Sequence, residues 1–263
     1  MAFLLSPRGC RWLTCALTLA AGVFAVAEDK PAKREPPKIT LMLPLGVLPG
    51  STNLIKIRGL NFTNASTVRF TAAKMPVEAK ISTNAKAEVP RDFDPKKIGD
   101  TQLEVELRLA PETPSGPLAI VVVTPDGESQ PYALTVLDPA TWLAEQEPNE
   151  GFRNAQEIPL GKTVQGNIQS AGDVDVFRFT GKAGEQITAE VFAARHGSAL
   201  DSILTLYNAR GQILASNDDS GAGADSLLRW LLPADGIYFL GLVDAFDRGG
   251  PLYVYHLVVR REK

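Results

Sequence analysis

An all-β chain of two β-sandwich domains is what this sequence predicts, on three observations. Short runs rich in β-branched and aromatic residues recur along it, Gly and Pro separate them at strand-and-turn intervals, and no long amphipathic helical stripe interrupts them. The acidic charge is gathered in the second half. Residues 38–137 hold 11 basic and 10 acidic side chains, net +1, whereas residues 145–260 hold 9 and 15, net −6. Each half is large enough to bury a core of its own, so the two are expected to fold separately across an exposed connection.

Residues 1–27 read as a secretory signal. Arg8 and Arg11 supply the positive region, 13–23 the apolar region, and Ala25-Val26-Ala27 the cleavage site, so the mature chain is expected to begin at Glu28. Residues 28–37, charged and proline-rich, form a leader expected to be disordered. The first domain, 38–138, has strand-like runs at 39–45, 53–57, 67–71, 77–81, 102–109, 118–124 and 132–136. A linker covers 139–146, where Ala140, Trp142, Leu143 and Ala144 suit one helical turn. The second domain, 147–263, has runs at 163–168, 174–179, 186–192, 202–207, 212–215, 227–232, 237–243 and 252–259. Such strand density is that of a sandwich or jelly roll.

The composition excludes several classes. Both cysteines, Cys10 and Cys15, lie in the signal, leaving the mature chain no disulfide, thiolate ligand or cysteine nucleophile. With 25 basic and 30 acidic residues its net charge is −5, which argues against nucleic acid as a partner. The apolar part of the signal falls short of the roughly 20 residues a membrane span needs, and no later stretch replaces it, so no mature span is expected.

In the first half, Pro44-Leu45-Gly46, Pro49-Gly50-Ser51 and Ile55-Lys56-Ile57-Arg58-Gly59-Leu60-Asn61-Phe62 follow one another. Ile55 and Ile57 alternate with Leu54, Lys56 and Arg58 as a strand requires, and Gly59 permits a tight corner before Phe62 enters the core. These residues, with Thr113-Pro114-Ser115-Gly116-Pro117 and the Pro125-Asp126-Gly127 turn, resemble an immunoglobulin-like domain of the TIG, or IPT, type. The resemblance implies a spacer or interaction module. Residues 82–100 form a longer connection than that family usually has.

In the second half, Glu147-Pro148-Asn149-Glu150, Gly172-Asp173-Val174-Asp175-Val176-Phe177, Leu200-Asp201-Ser202, Leu206-Tyr207, 216–221 and Ala234-Asp235-Gly236-Ile237-Tyr238-Phe239 occur in that order. Together they resemble the bacterial pre-peptidase C-terminal domain, which is related to the collagen-binding domains of collagenases. The resemblance implies a jelly-roll-like sandwich, a role in secretion, folding or attachment to polymers, and a calcium site.

Read from the residues alone, Glu145, Glu147 and Asn149 fall at i, i+2 and i+4 and point one way along an extended chain. Asp173 and Asp175 share the face of Phe177 and Phe179, the core side of their strand, where carboxylates need a cation or several donors. Glu145, Glu147, Asn149, Glu150, Asp173 and Asp175 therefore suit either a hard cation taking oxygen ligands or an Asx turn beside a solvated acidic linker. The family resemblance favours calcium. Asn217-Asp218-Asp219-Ser220-Gly221 reads as a hairpin turn, and Tyr253 and Tyr255 suit either core packing or an aromatic strip.

No catalytic constellation is legible. His196 and His256 lack partners at metal spacing, and no nucleophile elbow, zinc-binding helix motif or phosphate loop occurs. The expected function is that of an exported, non-catalytic, calcium-stabilised binding module, secreted, periplasmic or at the cell surface, engaging an extracellular polymer or an envelope protein. The alternative is an accessory or stability module of a separate exported hydrolase, with a cryptic hydrolase ranked last.

Overall fold

Alternation of apolar and polar residues builds both halves. In the computed structural model, which describes residues 35–71, 75–91, 93–221 and 223–262, the all-β class is as expected. The signal over 1–27 and most of the leader lie outside the described residues. The first half contains β1 (Lys38–Leu43), β2 (Gly46–Val47), β3 (Thr52–Leu60), β4 (Thr67–Thr71), β5 (Val77–Lys86), α1 (Pro95–Ile98), β6 (Thr101–Leu109), β7 (Gly116–Thr124), β8 (Gly127–Glu128) and β9 (Tyr132–Val136). Two sheets, ordered β1-β3-β6-β5 and β2-β9-β7-β4 with β8 against β7, face each other. Every second residue of β6, Leu103, Val105, Leu107 and Leu109, is buried, and these pack with Ile55, Ile57, Ile120, Val122 and Leu134. The long 82–100 connection is fastened from within. Arg58, 6% exposed, donates to the carbonyls of Glu88, Ile98 and Gly99, and the Asp94 carboxylate caps α1 by accepting from Lys96 N–H at 2.9 Å.

The second half contains β10 (Trp142–Ala144), β11 (Gln156–Glu157), β12 (Lys162–Asn167), β13 (Asp175–Gly181), β14 (Gln186–Phe192), β15 (Ser202–Asn208), β16 (Ile213–Asn217), β17 (Leu227–Leu231), β18 (Gly236–Asp244) and β19 (Val254–Arg261). Its sheets run β10-β12-β19-β14-β17 and β11-β13-β18-β15-β16. Between them lie Phe177, Phe179, Leu204, Leu240, Tyr255, Leu257 and Val259.

Two local expectations are corrected. The stretch 139–145 forms no helical turn. A tight turn, in which Trp142 N–H donates to Asp138 O, leads directly into β10, which pairs in parallel with β12. Trp142 and Leu143 are apolar, and pairing removes them from the water an exposed connection would leave them in. Nor is 217–221 a hairpin turn, because β16 and β17 lie in different sheets. The intervening chain crosses the sandwich edge and is anchored there by Asp225, fully buried, which accepts from Ala193 and Ala194 N–H and pairs with Arg195 at 2.5 Å.

The two sandwiches share a packed junction. Leu41, Leu45 and Ile98 of the first are buried in the cluster that fills the second, Phe93 meets Tyr253 edge-on with ring centres 6.2 Å apart, and Tyr132 Oη donates to His196 O. Gly197, at φ +74°, sits where a Cβ would lie 1.9 Å from Thr40 O. A side chain there meets both backbone strain and a fixed carbonyl. Gly197→Ala is therefore expected to destabilise the mature chain by about 1–3 kcal/mol, read as a lowered denaturant midpoint. An unshifted midpoint would mean the junction is not closed at Thr40.

Candidate metal centre

The centre forms where the chain enters the second sandwich. Past β10 the backbone stays extended, so Glu145 points inward like Leu143, and its N–H donates to Gln165 O at 3.0 Å. Glu145 Oε2 accepts from Asn167 N–H at 2.8 Å. The next turn places Glu147, whose Oε2 accepts from Asn149 N–H at 2.9 Å, and Asn149, whose carbonyl accepts from Val176 N–H at 3.0 Å and so joins the turn to β13. Asp175 begins β13 on its core face. Asn149 and Asp175 are both fully buried.

Glu145, Glu147 and Asp175 each offer an oxygen within 4.8 Å of the others. The Asn149 amide completes the ring: the end carrying Oδ1 lies 3.2 Å from Asp175 Oδ1 and from Glu147 Oε2, acceptor against acceptor. That arrangement is unfavourable unless a cation sits among the oxygens or the amide turns over and donates to both. An ion 2.3–2.6 Å from each ligand spans oxygen separations up to roughly 5 Å, so the donor set fits calcium, and with no sulfur or imidazole it does not suit zinc.

The remaining two predicted residues stand apart from this group. Asp173 accepts from Gln169 N–H at 2.6 Å and closes its own turn. Glu150 is exposed. Both still act through their charge. Glu147 has its pKa raised, by partial burial first and then by Glu145, Asp173 and Glu150.

Tyr255 is the residue that sequence reasoning did not place here. It is fully buried on β19, and its hydroxyl meets Asp175 Oδ2 at 2.6 Å and Glu145 Oε1. Tyr253 is buried too, so neither tyrosine offers a surface strip. One hydroxyl carries one hydrogen, so it satisfies one carboxylate and leaves the other facing an oxygen. The inward parity of Tyr255 with Leu257 and Val259 was the available signal, since a buried tyrosine needs a partner for its hydroxyl. Gly166 makes room for the contact, because a Cβ there would lie 2.5 Å from Tyr255 Oη.

Without a cation the site keeps a proton. Asp175 is pushed up to about 9, first by burial, then by the Glu145 charge, and Tyr255 rises well above its ordinary value for the same reasons. A carboxyl raised above its unfolded value of about 3.9 favours folding while protonated, and that contribution is lost as pH rises from there through the folded value. In excess chelator, stability is therefore expected to fall between about pH 4 and pH 9, and Asp175→Asn to remove most of that slope. Urea titrations across this range check it; a slope equal in wild type and variant would rule out Asp175 as its source.

Comparison with known proteins places this region. A probable subtilase-type serine protease of Deinococcus radiodurans is 46% identical over 97 residues, covering 36% of this chain and 13% of the protease, so the chain spans a small fraction of that relative's length. The pre-peptidase C-terminal domain of a Bacillus anthracis collagenase aligns at 19% identity, over 44% of this chain and all of that domain, with a TM-score of 0.33. Aeromonas hydrophila PliG, a periplasmic inhibitor of g-type lysozyme, aligns at 18% identity over 41% of this chain and 97% of its own, also at 0.33. Residues 173–243, from the acidic turn before β13 to the end of β18, match the bacterial pre-peptidase C-terminal domain family.

Proposed function

We infer that this chain is an exported, non-catalytic attachment module that engages an extracellular polymer or an envelope protein. The observation that carries the reading is an aromatic group on the open face of the β11-β13-β18-β15-β16 sheet. Tyr207 and Phe239 stand opposite each other on β15 and β18, and Phe152 lies over both, with ring centres 5.2 and 4.6 Å away. Phe152 is 41% exposed, and Ile237 and Ile213 nearby are 45% and 64% exposed. A solvated sheet face is ordinarily polar; a contiguous apolar one marks a contact surface, and aromatic side chains are its usual anchors. Among the described residues no helix is long and apolar enough to cross a membrane.

In this reading calcium is held by Glu145, Glu147, Asn149 and Asp175. Its contribution is to neutralise charge, so the entering chain is pinned to the sandwich and the aromatic face is presented from a fixed base. A second reading, an accessory module of a separate exported hydrolase, is favoured by the 46% identity to part of a protein named as a protease.

Two measurements test the proposal. Thermal unfolding in calcium and then in chelator is expected to differ by about 2.7 kcal/mol when the free ion is a hundredfold above its dissociation constant. Magnesium should substitute poorly, and Asp175→Asn should blunt the shift while Asp218→Asn spares it; a midpoint indifferent to millimolar calcium would remove the metal from the account. In co-sedimentation with insoluble collagen and cell-wall polymer, Tyr207→Ala and Phe239→Ala are each expected to weaken retention by about 1–2 kcal/mol. Recovery of one stoichiometric hydrolase from envelope extract, with no polymer retained, would decide for the accessory reading.

A further inference from the structure

We propose that the cavity between the two sandwiches binds a small uncharged polyhydroxylated molecule, of the size of one sugar ring. The proposal is independent of the metal centre and of the aromatic face. The cavity measures about 290 Å³, near the lower limit of ligand pockets at about 300 Å³. Its floor is the outer face of the β10-β12-β19-β14-β17 sheet, where Trp142, Thr163 and Val258 stand in one cross-strand row and Phe192 and His256 in the next. Its roof is the end of β9 with the residues that follow, and His196 also lines it.

The polar groups of this lining are left without partners. Gly46 N–H donates to Gln165 Oε1 at 2.9 Å, which fixes that atom as oxygen. His256 Nε2, 2.9 Å from the same oxygen, must therefore carry its proton, leaving Nδ1 as an unpaired acceptor on a side chain 5% exposed. The His196 imidazole and the hydroxyls of Thr135 and Thr163 make no hydrogen bond to any described residue. Buried polar groups are nearly always satisfied, and four facing one cavity call for a molecule bearing both donors and acceptors.

Charge narrows the class. Burial lowers both histidines, His256 to about 4, so both are neutral near pH 7. Asp138 is the one ionised residue of the lining, and its Oδ1 already accepts from Ala140 N–H at 2.9 Å. The nearby guanidinium, Arg195, lies over the Phe192 ring and is paired with Asp225 and Glu190. Nothing there would hold an anion. Trp142 and Phe192 offer aromatic walls to the C–H face of a ring whose hydroxyls reach the imidazoles and threonines.

The mature full chain is titrated with glucose, galactose and N-acetylglucosamine at millimolar concentration, with indole fluorescence and ligand-observed NMR as readouts. At least one sugar is expected to saturate. Thr163→Val, which keeps the strand's β-branched shape, and His256→Phe should each weaken binding about tenfold, and Val258→Trp, which fills the space, should abolish it. Thr163→Val should leave the unfolding midpoint in place, separating lost contact from lost fold. The proposal is overturned if no neutral sugar gives a saturable response, if Thr163→Val and His256→Phe leave that response unchanged, or if inorganic phosphate binds the cavity in preference.

Discussion

The second sandwich is organised around one unequal exchange: a single buried hydroxyl hydrogen, on Tyr255, faced by two carboxylates, Glu145 and Asp175. Neither carboxylate can relax outward. Glu145 is held by the Asn167 amide, and Asp175 is built into the first position of β13 with Phe177 and Phe179 behind it on the same face. Two charges in this position need a proton or a cation. The site therefore couples the path of the chain to solution chemistry, because the residues that bring the oxygens together come from the entering segment, from β13 and from β19.

The junction follows from the same entry. Because Trp142–Ala144 pairs with β12, the first sandwich is carried close over the outer face of that sheet and is free neither to swing nor to stand away. Leu45 and Leu41 then find cover, Gln165 reaches Gly46, and the space between is too polar to close. A cavity is what remains when two convex sandwiches meet along an edge, and its chemistry is set by whichever side chains the sheet turns outward there.

Much of this was legible in sequence. Strand runs could be read because burial alternates with period two, and the i, i+2, i+4 spacing of Glu145, Glu147 and Asn149 brought three of the oxygens onto one side before any coordinates were considered. What could not be read was long-range. Asp173 has the parity of Asp175 yet turns to a local amide, since parity gives the face and not the nearest donor. Tyr255 looked like packing because its partners lie 80 and 110 residues away. The 217–221 segment has hairpin composition, and only Asp225, a buried acid in an otherwise polar stretch, tells that the chain crosses between sheets. His196 and His256 appeared unpaired because no local spacing joins a 3-10 turn to an edge of β19.

The metal centre and the cavity are reached from opposite faces of one three-stranded ladder. Tyr255 points into the core and His256, its neighbour on β19, points out to the cavity; on β12 Gly166 lies under Tyr255 while Gln165 holds His256; on β10 Leu143 turns in and Trp142 out. Alternation makes this unavoidable, since consecutive residues of a strand must serve opposite faces. Whatever fixes Glu145 and Tyr255 in register also fixes Trp142 and His256, because each pair shares a backbone. The ladder is thus a rigid partition between an acidic oxygen cluster and a neutral, aromatic-walled cavity, and the order of the entering segment sets the geometry of both.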